Sequence, residues 1–410
     1  MAVIICDISA WEYWRTPPVV AGHPSCGAGH HAPDAHDHSS DDSQKGTIPK
    51  LRANARKVDA LIQPRLLADL KGLSLPVHVL TDEPAGFHPT SIAKPAGIPH
   101  GFRPHCAVDI GGGLSVLSPE ATLLMQPRHR SSHLSDAALL SKMMFEATGI
   151  FTIPPTGERV RQAIEDLWGL GAFEEGRLAS EGVYGFSDAN GRPLGDHDRW
   201  GNRIEWRPIL DKRGGQTNMW KRPPLTSVEE LGSLLATLDP TGRSRSFSVV
   251  RRALAMTRNG AASPAEVQAN LLLCSTTHNG GESWGDPFLN RHVHFTDNAR
   301  KLAHASFAIA DSIWPEHRSI LEVQGEEYHT DDLGYRLLSG STAALESMGY
   351  SIAEILPFQM ADLELFDAIL TSLGKRLGFS PCKPTAAHLR RRDELHHELF
   401  SMPFEPTATA

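Results

Sequence analysis

Residues 306–324 read Ser-Phe-Ala-Ile-Ala-Asp-Ser-Ile-Trp-Pro-Glu-His-Arg-Ser-Ile-Leu-Glu-Val-Gln. Two apolar runs, 306–313 and 319–323, have the length and composition of buried strands. Each carries a carboxylate: Asp311 near the end of the first, Glu322 inside the second. An ionised side chain within a strand core is costly unless it pairs or binds a metal. Acids on neighbouring strands can converge on one divalent ion, and a hard cation such as Mg²⁺ takes one or two carboxylates, several waters and a phosphate oxygen. Such a site activates water and stabilises the leaving oxygen of a phosphodiester. Asp311 alone also fits a turn cap before Ser312-Ile313-Trp314-Pro315. Glu322, with apolar residues on both sides, is read as functional.

Outward from this pair the pattern stays regular. Ser263-Pro264-Ala265-Glu266 is a helix start, with Ser as N-cap, Pro in the first turn and Glu at the third helical position. Val267, Leu271, Leu272 and Leu273 make its buried stripe. A Gly-rich loop, Asn279-Gly280-Gly281, leads to a strand over 291–295. After the two acid-bearing strands come a helix over 336–350, a strand over 351–356 and a helix over 360–373. The predicted order is helix, three strands, helix, strand, helix. Glu266 has a second explanation, since a carboxylate in a first turn meets the helix dipole favourably.

Asp311, ten residues, then Glu322-Val323-Gln324 resembles the Asp…Glu-x-Lys signature of the restriction-endonuclease-like PD-(D/E)XK nucleases. The tract 321–329 (LEVQGEEYH) is similar to the E-x-D-G-x-x-x-H strand of very-short-patch-repair endonuclease relatives. The tract 345–355 (LESMGYSIAEI) is similar to their helix-to-strand turn, and Arg336 to a basic residue opening that helix. The resemblance spans 263–373, about a quarter of the chain. A fainter one links 9–15 and 118–120 to bacterial proteins with an abortive-infection antitoxin-like front half.

The resemblance implies an α/β protein whose C-terminal domain is restriction-endonuclease-like, a mixed sheet flanked by helices, beside a separate mixed α/β N-terminal region. It implies a Mg²⁺- or Mn²⁺-dependent DNA endonuclease of bacterial phage defence or DNA repair. Asp311 and Glu322 would be metal ligands, with the Val323 carbonyl completing the set. Glu266 would orient the attacking water, His329 would act as general acid/base or phosphate contact, and Glu327 would support it. Gln324 stands where most relatives carry Lys. Glutamine can hydrogen-bond the water but brings no charge to the transition state, so its electrostatic contribution is smaller. The alternative reading follows from that departure: a catalytically degenerate DNA-binding or toxin–antitoxin regulatory protein.

The rest of the 410 residues frames this segment. With 40% hydrophobic and 21% charged residues the chain can bury a core unaided, and two or three domains are expected. The predicted division is 1–180, a mixed α/β region; 181–260, a basic irregular connection and helix; 261–375, the nuclease-like domain; and 376–410, a tail or helix. A net charge of -8 excludes a histone-like polyanion binder but not a local basic face. Residues 201–260 supply one, with eleven Lys and Arg against five acids. Lys221, Arg222, Arg251, Arg252 and Arg336 are the candidate DNA contacts, with Trp206 and Trp220 as stacking rings. A solvated charged face is the competing reading.

Residues 9–15 predict a short helix capped by Ser9 with Glu12 three positions on. Residues 21–47, with five histidines between His23 and His38, predict a mobile loop rather than a zinc finger, although imidazoles beside Cys26 suit Zn or Ni. Three glycines at 111–113 follow a strand over 106–110. Without Gly-Lys-Ser/Thr they predict a hairpin turn and not a phosphate loop. Arg390–Arg392 and His396–His397 predict a solvated helix face. Five separated cysteines in no C-x-x-C pair predict free thiols, with Cys274 inert in an apolar helix. No apolar run reaches the length of a membrane span and the start lacks a basic n-region, so a cytoplasmic protein is expected, with room for a homodimer.

Overall fold

The computed structural model describes residues 3–16, 55–81, 87–97, 106–126, 134–153, 162, 207–210, 216–222, 224–324, 332–380 and 382–401. The expectations for the His-rich loop 21–47, Trp206, Glu327 and His329 lie outside the described residues.

In chain order the elements are β1 (Val3–Ile5), α1 (Asp7–Arg15), α2 (Ala55–Ile62), β2 (Val77–Thr81), β3 (Ala93–Gly97), β4 (Ala107–Asp109), β5 (Leu114–Leu117), α3 (Pro119–Met125) and α4 (Leu134–Thr148). Next come β6 (Phe151–Ile153), β7 (Arg207–Leu210), β8 (Gln216–Arg222), α5 (Val228–Leu238), α6 (Ser248–Met256) and α7 (Pro264–Cys274). The last are β9 (Phe288–His294), α8 (Asp297–Ala303), β10 (Phe307–Trp314), β11 (Ser319–Val323), α9 (Asp332–Ser347), β12 (Ser351–Ile355), α10 (Pro357–Ala361), α11 (Leu363–Leu377) and α12 (Ala386–Phe400). The protein is mixed α/β, and no described helix is long and apolar enough to cross a membrane.

The chain divides into two compact units, neither continuous in sequence. One comprises Met1–Arg128, Ile150–Arg243 and Ala408–Ala410; the other comprises His129–Gly149 and Ser244–Thr407. The second unit thus reaches well beyond the 261–375 expected for a nuclease-like domain. The stretch 181–260, expected as an irregular connection and helix, holds in its described part the helices α5 and α6 and also the strands β7 and β8.

In the first unit a five-stranded mixed sheet runs β3-β2-β1-β5-β4, and β6-β8-β7 form a second, antiparallel sheet. Val3, Ile5, Val77, Val79, Leu114 and Val116 bury the core face of the five-stranded sheet. The hairpin between β4 and β5 turns on Gly111, Gly112 and Gly113, all at positive φ, which side chains rarely adopt. The hairpin reading therefore holds. The N-terminal helix begins earlier than expected, at Asp7 with Cys6 as N-cap. Ser9 is not the cap: its Oγ accepts from the His78 N–H at 3.0 Å, and a Glu12 carboxylate oxygen accepts from the Ser74 N–H at 2.8 Å. Long-range partners took both residues from the local cap that their spacing suggested.

The second unit is built on a four-stranded sheet, β12-β11-β10-β9. Neighbours β9/β10 and β10/β11 are antiparallel, while β11/β12 are parallel. Val293, Ala310, Ile313, Ile320 and Ile352 from the strands pack with Ala299, Ala303, Ala344 and Leu345 from α8 and α9. The predicted order of helix, three strands, helix, strand, helix is present, with α8 inserted between the first two strands. Thr296 caps α8 by accepting from the Ala299 N–H, but its seven residues are too few for a helical period to register.

Beyond residue 376, where a tail or helix is expected, lies α12, a fifteen-residue helix held into this unit. The Lys142 ammonium of α4, fully buried, donates to the Glu398 carbonyl at 3.0 Å and stands 3.3 Å from the Glu398 carboxylate. Gln268 of α7 donates to the Leu399 carbonyl at 2.9 Å. The Arg390–His397 stretch is not simply a solvated face, because His388 and Arg392 on the same helix are buried.

Candidate active site

Pairing across the sheet places the acids. The β10–β11 register matches Ser312 with Leu321 and Ile313 with Ile320, which sets Asp311 across from Glu322. On one side, Leu289 pairs with Ser312 and Arg291 with Ala310, so Asn290 stands beside Asp311. On the other, Glu322 pairs with Glu354. Side chains directly across a ladder share a face, so Asn290, Asp311, Glu322 and Glu354 form one polar row over four strands.

Glu266 reaches the same place from α7. Ser263 caps that helix, its Oγ accepting from the Glu266 N–H at 3.2 Å and donating to Glu266 Oε1 at 2.9 Å. Glu266 Oε2 accepts from the Ala262 N–H at 2.9 Å and from Asn290 Nδ2 at 2.5 Å. Its place in the first turn thus has the local, helix-capping explanation, and the residue also faces the sheet acids. Asn290 occupies the left-handed region at φ 48°, and its amide donates a second time, to the Gly260 carbonyl at 2.9 Å.

Three carboxyls in this space cannot all ionise cheaply. Burial, followed by the charge of Asp311, pushes Glu266 up to about 7. Burial, again followed by Asp311, pushes Glu322 up to about 8. Asp311 is raised by burial, against the lowering effect of the Val323 N–H that donates to its Oδ2 at 2.7 Å. The nearness of Asp311 and Glu322 enters both shifts, lowering Asp311 and raising Glu322. The donor set is all oxygen, which suits a hard divalent cation.

The remaining predicted residues divide. Val323 ends β11 beside the acids, and Gln324 follows it, its N–H donating to the Ile355 carbonyl at 3.0 Å. Arg336 lies on α9. Arg251 and Arg252 are both on α6 and both tie down loops. Arg251 Nη2 donates to the Ser244 carbonyl at 2.9 Å; Arg252 donates to Asn279 Oδ1 at 2.7 Å and to the His278 carbonyl at 3.0 Å. Lys221 and Arg222 end β8 in the other unit, so the basic 201–260 stretch is shared between two units rather than gathered on one. Arg222 is corrected outright: it is fully buried, its guanidinium 5.9 Å from the centre of the Trp11 ring, and is part of a core rather than a DNA-facing surface.

No family model, curated protein or solved structure matches this chain. The chemistry of the site has to be read from its own residues. Asn290 and Glu354 are not among the predicted site residues. A signal for Asn290 is present only in its residue type, since asparagine tolerates the left-handed region better than most side chains. Cys274 is inert as expected, buried with its thiol pushed up to about 12 by desolvation.

Proposed function

We propose that the protein is a metal-dependent DNA endonuclease whose second unit is restriction-endonuclease-like. The observation that carries this reading is the convergence of Glu266, Asp311 and Glu322 from α7, β10 and β11, with the two glutamates raised to about 7 and 8. Buried acids that raise one another are unfavourable for folding alone and are characteristic of functional sites.

Asp311 and Glu322, with the carbonyl of Val323, would hold Mg²⁺ or Mn²⁺. When bound, that ion supplies Lewis acidity toward the scissile phosphate and lowers the pKa of water. The chain's own residues do the positioning. The Val323 N–H holds the Asp311 carboxylate, and Asn290 holds that of Glu266. Glu266, with a proton affinity near neutrality, can take the proton of the attacking water. Gln324 offers a hydrogen bond there without a positive charge.

A surface near the acids supports nucleic acid as the substrate. Alternation along β10 puts Phe307, Ile309 and Asp311 on one face. Phe307 and Ile309 are exposed, and His292 stacks on Phe307 with ring centres 4.5 Å apart. Exposed flat rings and apolar surface of this kind are platforms for unstacked bases.

The test is Glu322→Gln assayed for Mn²⁺-dependent cleavage of plasmid and single-stranded DNA, with folding followed by circular dichroism. Cleavage by the wild type that disappears in the folded variant is expected; equal cleavage by both overturns the reading. Gln324 favours a second reading, a degenerate relative that binds DNA without cutting it. Salt-dependent DNA binding with no cleavage in any divalent metal would select it.

A further inference from the structure

Away from the acids, the second unit brings together three residues of another ligand class: Glu282, Cys382 and His388, whose ligand atoms all lie within 4.8 Å of one another. The turn Asn279-Gly280-Gly281 makes this possible. Gly280 sits at φ 85°, and a Cβ there would lie 2.5 Å from the Arg391 carbonyl. Only a glycine lets the turn rest directly on the backbone of α12. Glu282 is thereby brought against His388 in the first turn of that helix, and Cys382 approaches from the segment between α11 and α12.

The imidazole is already oriented. His388 Nε2 lies 3.0 Å from the Gly281 carbonyl, an acceptor only, so Nε2 carries the hydrogen and Nδ1 the lone pair. Nδ1 faces Cys382 Sγ at 3.7 Å. Zinc bonds of about 2.3 Å to sulfur and about 2.0 Å to nitrogen, at a tetrahedral angle, separate the two ligand atoms by about 3.5 Å. The observed spacing is within a few tenths of that edge. A second hydrogen bond from the far ring nitrogen to a carbonyl is also the usual support of a metal-bound histidine.

The carboxylate is buried, and its contacts to cations are long. Glu282 is 5% exposed. Its positive neighbours stand at 3.5 Å, Arg392 Nη1, and 3.9 Å, His388 Nε2. Arg392 donates to Glu282 at 3.5 Å but makes its two shorter bonds, of 2.8 and 2.9 Å, to Asp367.

We propose that Glu282, Cys382 and His388 form a zinc site, with His388 coordinating through Nδ1 and water filling the fourth position at the half-exposed Cys382 side. A thiolate and an imidazole select zinc over Mg²⁺. On binding, the Cys382 thiol gives its proton to solvent as the sulfur–zinc bond forms. The site is independent of the carboxylate cluster and of its proposed chemistry.

The experiment is Co²⁺ titration of the chelator-stripped full chain, read by absorption. Expected is a near-ultraviolet thiolate-to-cobalt band with tetrahedral visible bands, both displaced by Zn²⁺. Cys382→Ser should abolish the near-ultraviolet band, and His388→Ala should weaken binding at least tenfold. Asp311→Ala and Cys26→Ser should leave the near-ultraviolet thiolate band unchanged, which separates this site from the acids and from the His-rich tract. A folded wild type with no thiolate band overturns the proposal, as does a band that survives in Cys382→Ser. In both outcomes Cys382 and His388 are an ordinary hydrogen-bonded pair.

Discussion

The Val323 N–H donates to Asp311 Oδ2 at 2.7 Å, so the residue that follows Glu322 fixes the acid that faces Glu322. Holding the two carboxylates together is thus part of the sheet's own hydrogen bonding. Asp311→Asn keeps an acceptor for Val323 and removes the charge. The variant is expected to be at least as stable as the wild type at pH 8 and to lose Mn²⁺ binding by calorimetry. Asp311→Ala, which leaves the N–H without an acceptor, should cost about 1–3 kcal/mol more than the Asn variant.

Raised carboxylates make the metal-free protein pH-sensitive in a fixed direction. Unfolded, Glu266 and Glu322 titrate at about 4.3; folded, they titrate at about 7 and about 8. Between these values the folded state holds more protons than the unfolded one, so stability falls as pH rises. Their contribution is complete below about pH 4 and lost above about pH 8. Urea denaturation without metal should show that decline, and Glu322→Gln should flatten it. Mn²⁺ competes with the same protons, so its affinity should strengthen over that range. Metal affinity equal at pH 6 and pH 8 would contradict the assignment.

Asn290 joins Glu266 to the strand that carries it. Asn290→Gly accepts the left-handed backbone without strain but loses both amide bonds, to Glu266 Oε2 and to the Gly260 carbonyl. A stability loss of about 1–2 kcal/mol is expected. Cleavage should fall by at least tenfold, because Glu266 is no longer held. Full activity would show that Asn290 serves only the turn.

Lys142 and Glu398 test how firmly α12 belongs to the second unit. Burial lowers the Lys142 pKa and Glu398 raises it. Lys142→Met leaves Glu398 buried without its cation and should cost about 3–5 kcal/mol. Adding Glu398→Leu should recover most of that loss in a double-mutant cycle read by urea denaturation. An additive cycle would show that the two side chains do not interact.

Local pattern carried much of the second unit. Alternation and capping residues marked α7, β10, β11 and β12, and the cost of a charge inside an apolar strand singled out Glu322. Features set by distant residues were not legible. Lys142 lies in the apolar run of α4, where nothing local announces a partner 256 positions away. Arg222 reads as a surface cation until Trp11 is seen beneath it. Ser9 and Glu12 have the spacing of a cap, yet partners near residue 75 claim them both. Glu282 stands far before Cys382 and His388 in the chain, so no spacing rule collects the three.

Residues 150–243 are made after α4 and belong to the other unit, whereas α4 and α12 meet in this one. At roughly 5–20 residues per second of synthesis, α4 leaves the ribosome about 10–50 seconds before the helix that covers Lys142. Until α6 is made, α4 has no described helix of its own unit to pack on, and its Lys142 then still waits for α12. The nascent chain is then open to chaperone capture, and a ribosome stalled before residue 386 would release the acids without the helix that completes their scaffold. The discontinuity thereby orders assembly in time: the carboxylates are translated before the last helix of their own unit.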